Sequence, residues 1–126
     1  MAYIRENPNP NGSLVGDCVI RALSIATGDD WDGIYLDLCI EGLMVSDMPS
    51  SNKVWGDYLK KRGYHRYVIP DTCPHCYTVR DFTRDHPEGV YILGTGSHVV
   101  AVIDGNYHDS WDSGDENPVY YWHKEE

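Results

Sequence analysis

Long apolar runs, basic charge and phenylalanine are what this chain has little of. No stretch approaches the roughly 18 consecutive apolar residues that a membrane-spanning helix requires, so a membrane-embedded protein is not expected. Twenty acidic residues against ten basic give a formal charge of −10, which would repel nucleic acid and anionic membranes alike, so neither is an expected partner. The acidic residues are spread along the chain, as on a solvated surface, and do not select a substrate. Residues Met1 to Pro8 carry no apolar signal core, which predicts a cytoplasmic chain whose thiols stay reduced. Repeats, low-complexity tracts and linkers are also missing, and 126 residues suffice for one core, so residues 1–126 are expected to form a single domain.

What is present belongs to a folded globular protein. Apolar residues make up 41%, and ten tyrosines and four tryptophans stand against one phenylalanine. After a turn-rich lead-in at Asn7–Ser13, a helix is predicted from Asp17-Cys18 to Thr27, capped by Asp17 and stopped by Gly28. Asp29 and Asp30 cap a second helix, in which Trp31, Ile34, Tyr35 and Leu38 recur at helical spacing. A third runs from about Asn52 to Arg62 with Val54, Trp55, Tyr58 and Leu59 buried, and Tyr64 to Ile69 reads as a strand. Thr78 and Asp81 form a capping box for a short helix ending before Pro87. Four β-rich runs follow, at Val90–Leu93, His98–Ile103, Tyr107–Trp111 and Val119–Trp122, with Asp104-Gly105-Asn106 as a hairpin turn. Helices first and an antiparallel sheet second make an α+β fold.

Three residues combine into a chemical pattern. Cys18 is predicted at a helix N-terminus, where free amides and the positive end of the helix dipole stabilise a thiolate and can hold an oxyanion. A free cysteine is also a common small core residue. His98 opens an apolar strand after the flexible Gly94–Ser97 segment, which fixes the residue and lets its ring face a cleft. In either register of the hairpin Asp109 shares the sheet face of His98, and with Asp104-Gly105 as loop residues the two are diagonal neighbours about 7–8 Å apart at Cα. Asp112 falls on the opposite face and is the reserve. A thiol, a base and a carboxylate that orients the base are the parts nucleophilic catalysis needs.

The Gly16–Ser24 stretch and the Gly96–Val102, Asp104-Gly105 and Tyr107–Asp109 segments resemble the papain-like cysteine peptidase superfamily, especially its small bacterial and phage members. The cysteine segment is also similar to that of ovarian-tumour-type deubiquitinases, where an Asp-Gly-Asn-Cys run leads into a helix with Arg-Ala. The resemblance implies N-terminal helices packed on a C-terminal antiparallel sheet, hydrolysis or transfer at the amide or thioester of a peptide or protein substrate, and no cofactor. It implies Cys18 as nucleophile, His98 as base and Asp109 as its orienting residue. Papain-like enzymes place a glutamine or similar oxyanion residue before the cysteine; this chain has no glutamine, and Asn11 is the nearest upstream amide side chain. The His-to-Asp spacing is also short, which leaves open a non-catalytic interaction domain on the same fold.

Cys73-Pro74-His75-Cys76 gives two further readings. It resembles the reactive pair of the thioredoxin-like oxidoreductase that installs bacterial disulfides, but the strand-helix-strand context and the facing proline are missing. It also supplies two zinc ligands, which Cys39, His65, His75 or His86 would have to complete. A loop with two partly buried thiols is the simpler reading, so the leading assignment carries no metal. The acidic Trp111–Asn117 segment lacks the spacing and terminal bidentate Glu of a calcium loop and reads as a solvated turn before the last strand.

Overall fold

The computed structural model describes residues 2–72 and 74–124. Its elements, in chain order, are β1 (Tyr3–Arg5), α1 (Cys18–Thr27), α2 (Trp31–Val45), α3 (Asn52–Lys61), β2 (His65–Val68), α4 (Val79–Asp85), β3 (Val90–Gly94), β4 (Val99–Ile103), β5 (Asn106–Asp109) and β6 (Tyr120–His123). The fold is α+β. No helix among the described residues is long and apolar enough to cross a membrane.

Local chemistry explains most boundaries. Helix α1 ends where Gly28 takes the left-handed conformation (φ 82°) and returns its N–H to the Ser24 carbonyl. The Asp30 carboxylate accepts from the Gly33 N–H at 2.7 Å and opens α2. The Thr78–Asp81 capping box forms in full and opens α4. Asp104 and Gly105 both have positive φ (49° and 78°), the backbone of a two-residue turn that matches strand twist. That turn sets Ile103 opposite Asn106 and Val102 opposite Tyr107, the first of the two registers the sequence allows.

The six strands lie in the order β1-β5-β4-β3-β6-β2. The sheet is mixed, not purely antiparallel as expected, because β1 joins β5 in parallel, with Tyr3 beside Tyr107 and Arg5 beside Asp109. Nor do helices simply precede strands: β1 comes before α1, and α4 sits between β2 and β3 in the chain. Alternation along the strands divides the core in two. On one side Leu23, Ile34, Leu38, Trp55 and Leu59 from α1–α3 pack on Ile92, Val99, Ala101 and Trp122. On the other, Val79 and Phe82 from α4 cover Leu93, Val100, Val102 and Tyr107. Leu23, Ile92 and Leu93 are fully buried, each contributing about 1.5–3 kcal/mol of transfer free energy. The result fixes the first turn of α1 against the start of β4.

Candidate active site

Cys18 is the first residue of α1 and half-buried. Asp17 occupies the cap position, yet its carboxylate makes no capping bond to the helix. It instead accepts from the Trp31 indole at 2.9 Å and the Asn9 amide at 3.3 Å, and pairs with Arg21. The sequence expectation of a cap is therefore right in position and wrong in chemistry. Leading backbone amides of α1 are left without a side-chain acceptor, the kind of donor that can serve an anion beside the first helical residue.

His98 is nine-tenths buried just before β4, where the Thr95 N–H bonds back to its carbonyl at 2.9 Å and tightens the preceding loop. Its Nε2 meets Asp109 Oδ2 at 2.6 Å. With Nε2 engaged, Nδ1 is the nitrogen left for the Cys18 thiol, with which the imidazole interacts. The Trp111 ring packs against the imidazole, with ring centres 4.7 Å apart.

Asp109 is held on every side. Oδ2 also accepts from the Ser113 hydroxyl at 2.7 Å, Oδ1 accepts from the Ser110 N–H at 2.8 Å, and an Arg21 nitrogen stands 3.5 Å from Oδ1. Burial alone would raise its pKa, but the bonds from His98 and Ser113 outweigh that and hold it below the ordinary carboxylate range. Burial likewise opposes charge on His98, yet the hydrogen bonds and charges of Asp109 and Cys18 push its pKa up to about 9. For Cys18, burial is again the largest single influence and favours the neutral thiol; the His98 hydrogen bond and charge, the Val99 N–H and Arg21 together reverse it and lower the pKa. Both shifts run in the same direction, favouring a proton on the imidazole over one on the sulfur.

The pair opens into a cleft of about 390 Å³ whose walls include Tyr35, Leu38, Met48, Pro49 and Tyr120. Gly94 makes room for one wall, since a side chain there would collide with the Tyr120 ring. The cleft is mainly apolar, and its polar groups gather at Cys18, His98, Ser97, Ser50 and Asn52.

Of the residues read from sequence, Cys18, His98 and Asp109 come together. Asn11 does not: it is exposed in the Asn9–Gly12 turn, donates its backbone N–H to Asn9 Oδ1 at 3.0 Å, and does not line the cleft. Asp112, the reserve, bonds to the Tyr107 hydroxyl and pairs with Arg80. Two residues around Asp109, Arg21 and Ser113, have no role readable from sequence, although a cation inside the apolar run of α1 marks Arg21. Cys73 lies outside the described residues, and among the described residues no group of three or more His, Cys, Asp or Glu side chains is placed to hold a metal. No protein-family model, curated protein or solved structure matches the chain.

Proposed function

We propose that this protein is a papain-like thiol hydrolase acting on an amide, isopeptide or thioester bond of a peptide or protein. The observation that carries the reading is the division of labour on one imidazole: Nε2 on Asp109 at 2.6 Å, with the other nitrogen left for a thiol at a helix N-terminus. In the proposed cycle the Cys18 thiolate attacks the carbonyl carbon, forming a C–S bond and an oxyanion stabilised by the α1 amides. Collapse of that intermediate breaks the bond to the leaving group, which takes its proton from the His98 imidazolium. The neutral imidazole then removes a proton from water, whose attack on the thioester releases the acid and restores the ion pair. Asp109 keeps the ring in one tautomer and orientation throughout. These steps need no cofactor, and the reduced thiol they need suits a cytoplasmic setting.

Iodoacetamide tests this directly. Cys18 should be alkylated at pH 6 several-fold faster than Cys39, which lies within α2, because its lowered pKa puts more of the thiol in the reactive thiolate form. The advantage should vanish in His98→Ala. Equal labelling of Cys18 and Cys39 in the native chain would remove the hydrolase reading.

A second reading, a non-catalytic interaction domain, draws on the outer face of α2. Leu36, Ile40, Leu43 and Met44 recur there at helical spacing and are 57–80% exposed. That reading predicts an unreactive Cys18, so the same alkylation separates the two.

A further inference from the structure

Behind the Cys18–His98–Asp109 trio lies a second tier of charge. Arg21 is 7% exposed, and its guanidinium bridges two carboxylates: Asp17, one turn earlier on α1, and Asp109 across on β5, at 3.5 Å. Its Nε is buried with no hydrogen-bond partner among the described residues. A well-packed apolar side chain is usually no worse than a buried ion pair for stability alone. A cation kept at that cost, against the one carboxylate that orients the base, calls for a role beyond filling space. Asp17, Arg21, Asp109 and His98 form a contiguous chain that alternates in sign when the imidazole is protonated, and Cys18 stands at its end.

We propose that Arg21 is a positioning residue that fixes the orientation and effective charge of Asp109 for His98, and that Asp17 sets how much of the Arg21 charge reaches the site. This rests on the thiol-hydrolase reading above. Asp109 has a fixed rotamer because four donors hold it, and Arg21 is the only cationic side chain among them besides His98. The Asp17 carboxylate is in turn locked by Trp31 and Asn9, so the guanidinium cannot move toward Asp109 without leaving a satisfied partner. Other charged or titratable groups facing the trio are Tyr120 of β6, with Arg66 of β2 4.3 Å over its ring, Tyr3 of β1, whose hydroxyl donates to the Asp109 carbonyl, and Tyr35 of α2 in the cleft wall.

Charge logic gives the proposal a signature that loss of packing cannot imitate. Removing the Arg21 cation leaves the Asp109 charge undiluted, so His98 holds its proton to higher pH, while the thiolate loses a nearby cation and forms at higher pH. Both titrations move up. Removing the Asp17 anion frees the Arg21 charge, and both move down. Simple disorder of the site would instead return each group toward its free value, His98 falling while Cys18 rises.

The experiment follows the pH dependence of Cys18 alkylation by iodoacetamide, with mass mapping of the labelled cysteine, and the His98 imidazole by NMR, in the wild type, Arg21→Gln, Arg21→Lys and Asp17→Asn. In R21Q both midpoints should rise by about one unit, slowing Cys18 alkylation about tenfold on the acid limb. D17N should lower both, and R21K, which keeps the charge, should stay near wild type. Unmoved midpoints in R21Q and D17N, or a His98 midpoint that falls as that of Cys18 rises, would overturn the inference. Should R21Q fail to fold, D17N and R21K still decide it. Ordinary midpoints for both groups in the wild type would remove the hydrolase reading and this inference together, whereas perturbed midpoints that ignore Arg21 and Asp17 would remove this inference alone.

Discussion

Two aspartates three positions apart, Asp109 and Asp112, have similar partners and opposite situations. Each accepts from a hydroxyl, Ser113 for the first and Tyr107 for the second, and each pairs with an arginine. Each carboxyl is held below its ordinary pKa: Asp109 against the opposing effect of burial, by His98 and Ser113; Asp112 chiefly by the Tyr107 hydroxyl and the Gly114 N–H. Yet Asp109 is 3% exposed while half of the Asp112 side chain meets water. The difference comes from register. Asp109 is the last residue of β5 and shares the face of His98, whereas Asp112 follows the strand, where the chain has turned outward. Hydrogen bonding alone does not tell the two carboxylates apart; burial beside the imidazole does.

Breaking the buried member should have the largest effect. Asp109→Asn removes the charge that holds the proton on His98, so the Cys18 thiol pKa should rise by one to two units and alkylation at pH 6 should fall between tenfold and about a hundredfold. Its stability signature has a definite sign. His98, with its pKa raised to about 9, contributes stability that is full below its unfolded value near 6.5 and disappears as pH rises through about 9. Asp109, with its pKa lowered, contributes stability that is full above about 3.9 and disappears as pH falls through its depressed value. The gap in melting temperature between wild type and Asp109→Asn should therefore be widest between about pH 4 and 6.5 and shrink on both sides. A pH-independent gap would mean that the carboxylate acts by packing alone.

An intermediate effect is expected from Ser113→Ala, which takes one donor from Asp109 Oδ2 and leaves His98 and the Ser110 N–H in place. Thermal unfolding should report a loss of about 1–2 kcal/mol, the usual cost of deleting a partner of a buried polar group, with alkylation slowed only a few-fold. Asp112→Asn should do least: Cys18 alkylation should stay within about twofold of wild type, since the Asp112 pairing with Arg80 is solvent-exposed and screened. If Asp112→Asn slowed Cys18 as much as Asp109→Asn, the distinction between the two aspartates would be lost.

Where chemistry is local, the sequence announced it. Gly28, the Asp30 cap and the Thr78–Asp81 box each act within four residues, and the helix boundaries they imply are present. The two-residue Asp104-Gly105 turn fixes pairing by parity, which is why the sequence alone favours Asp109 over Asp112. What escaped depends on distant partners. Three residues at Tyr3–Arg5 have no alternation long enough to read, and they become a strand only because β5 offers a parallel edge. The Asp17 carboxylate leaves its cap role because Trp31, Asn9 and Arg21 converge on it from other parts of the chain. Asn11 is near Cys18 in sequence only, since its turn closes on Asn9 and does not line the cleft.

That inconspicuous first strand has a mechanical consequence. Without it β5 would form the rim of the sheet, and the backbone beneath Asp109 would be bare ladder groups, open to water and to any passing extended chain. With it, the Asp109 carbonyl is tied twice, by the Glu6 N–H at 2.9 Å and the Tyr3 hydroxyl at 3.2 Å, and the outermost edge shrinks to three residues. A strip so short is a poor template for strand addition, and the histidine's partner is anchored through its backbone as well as its carboxylate.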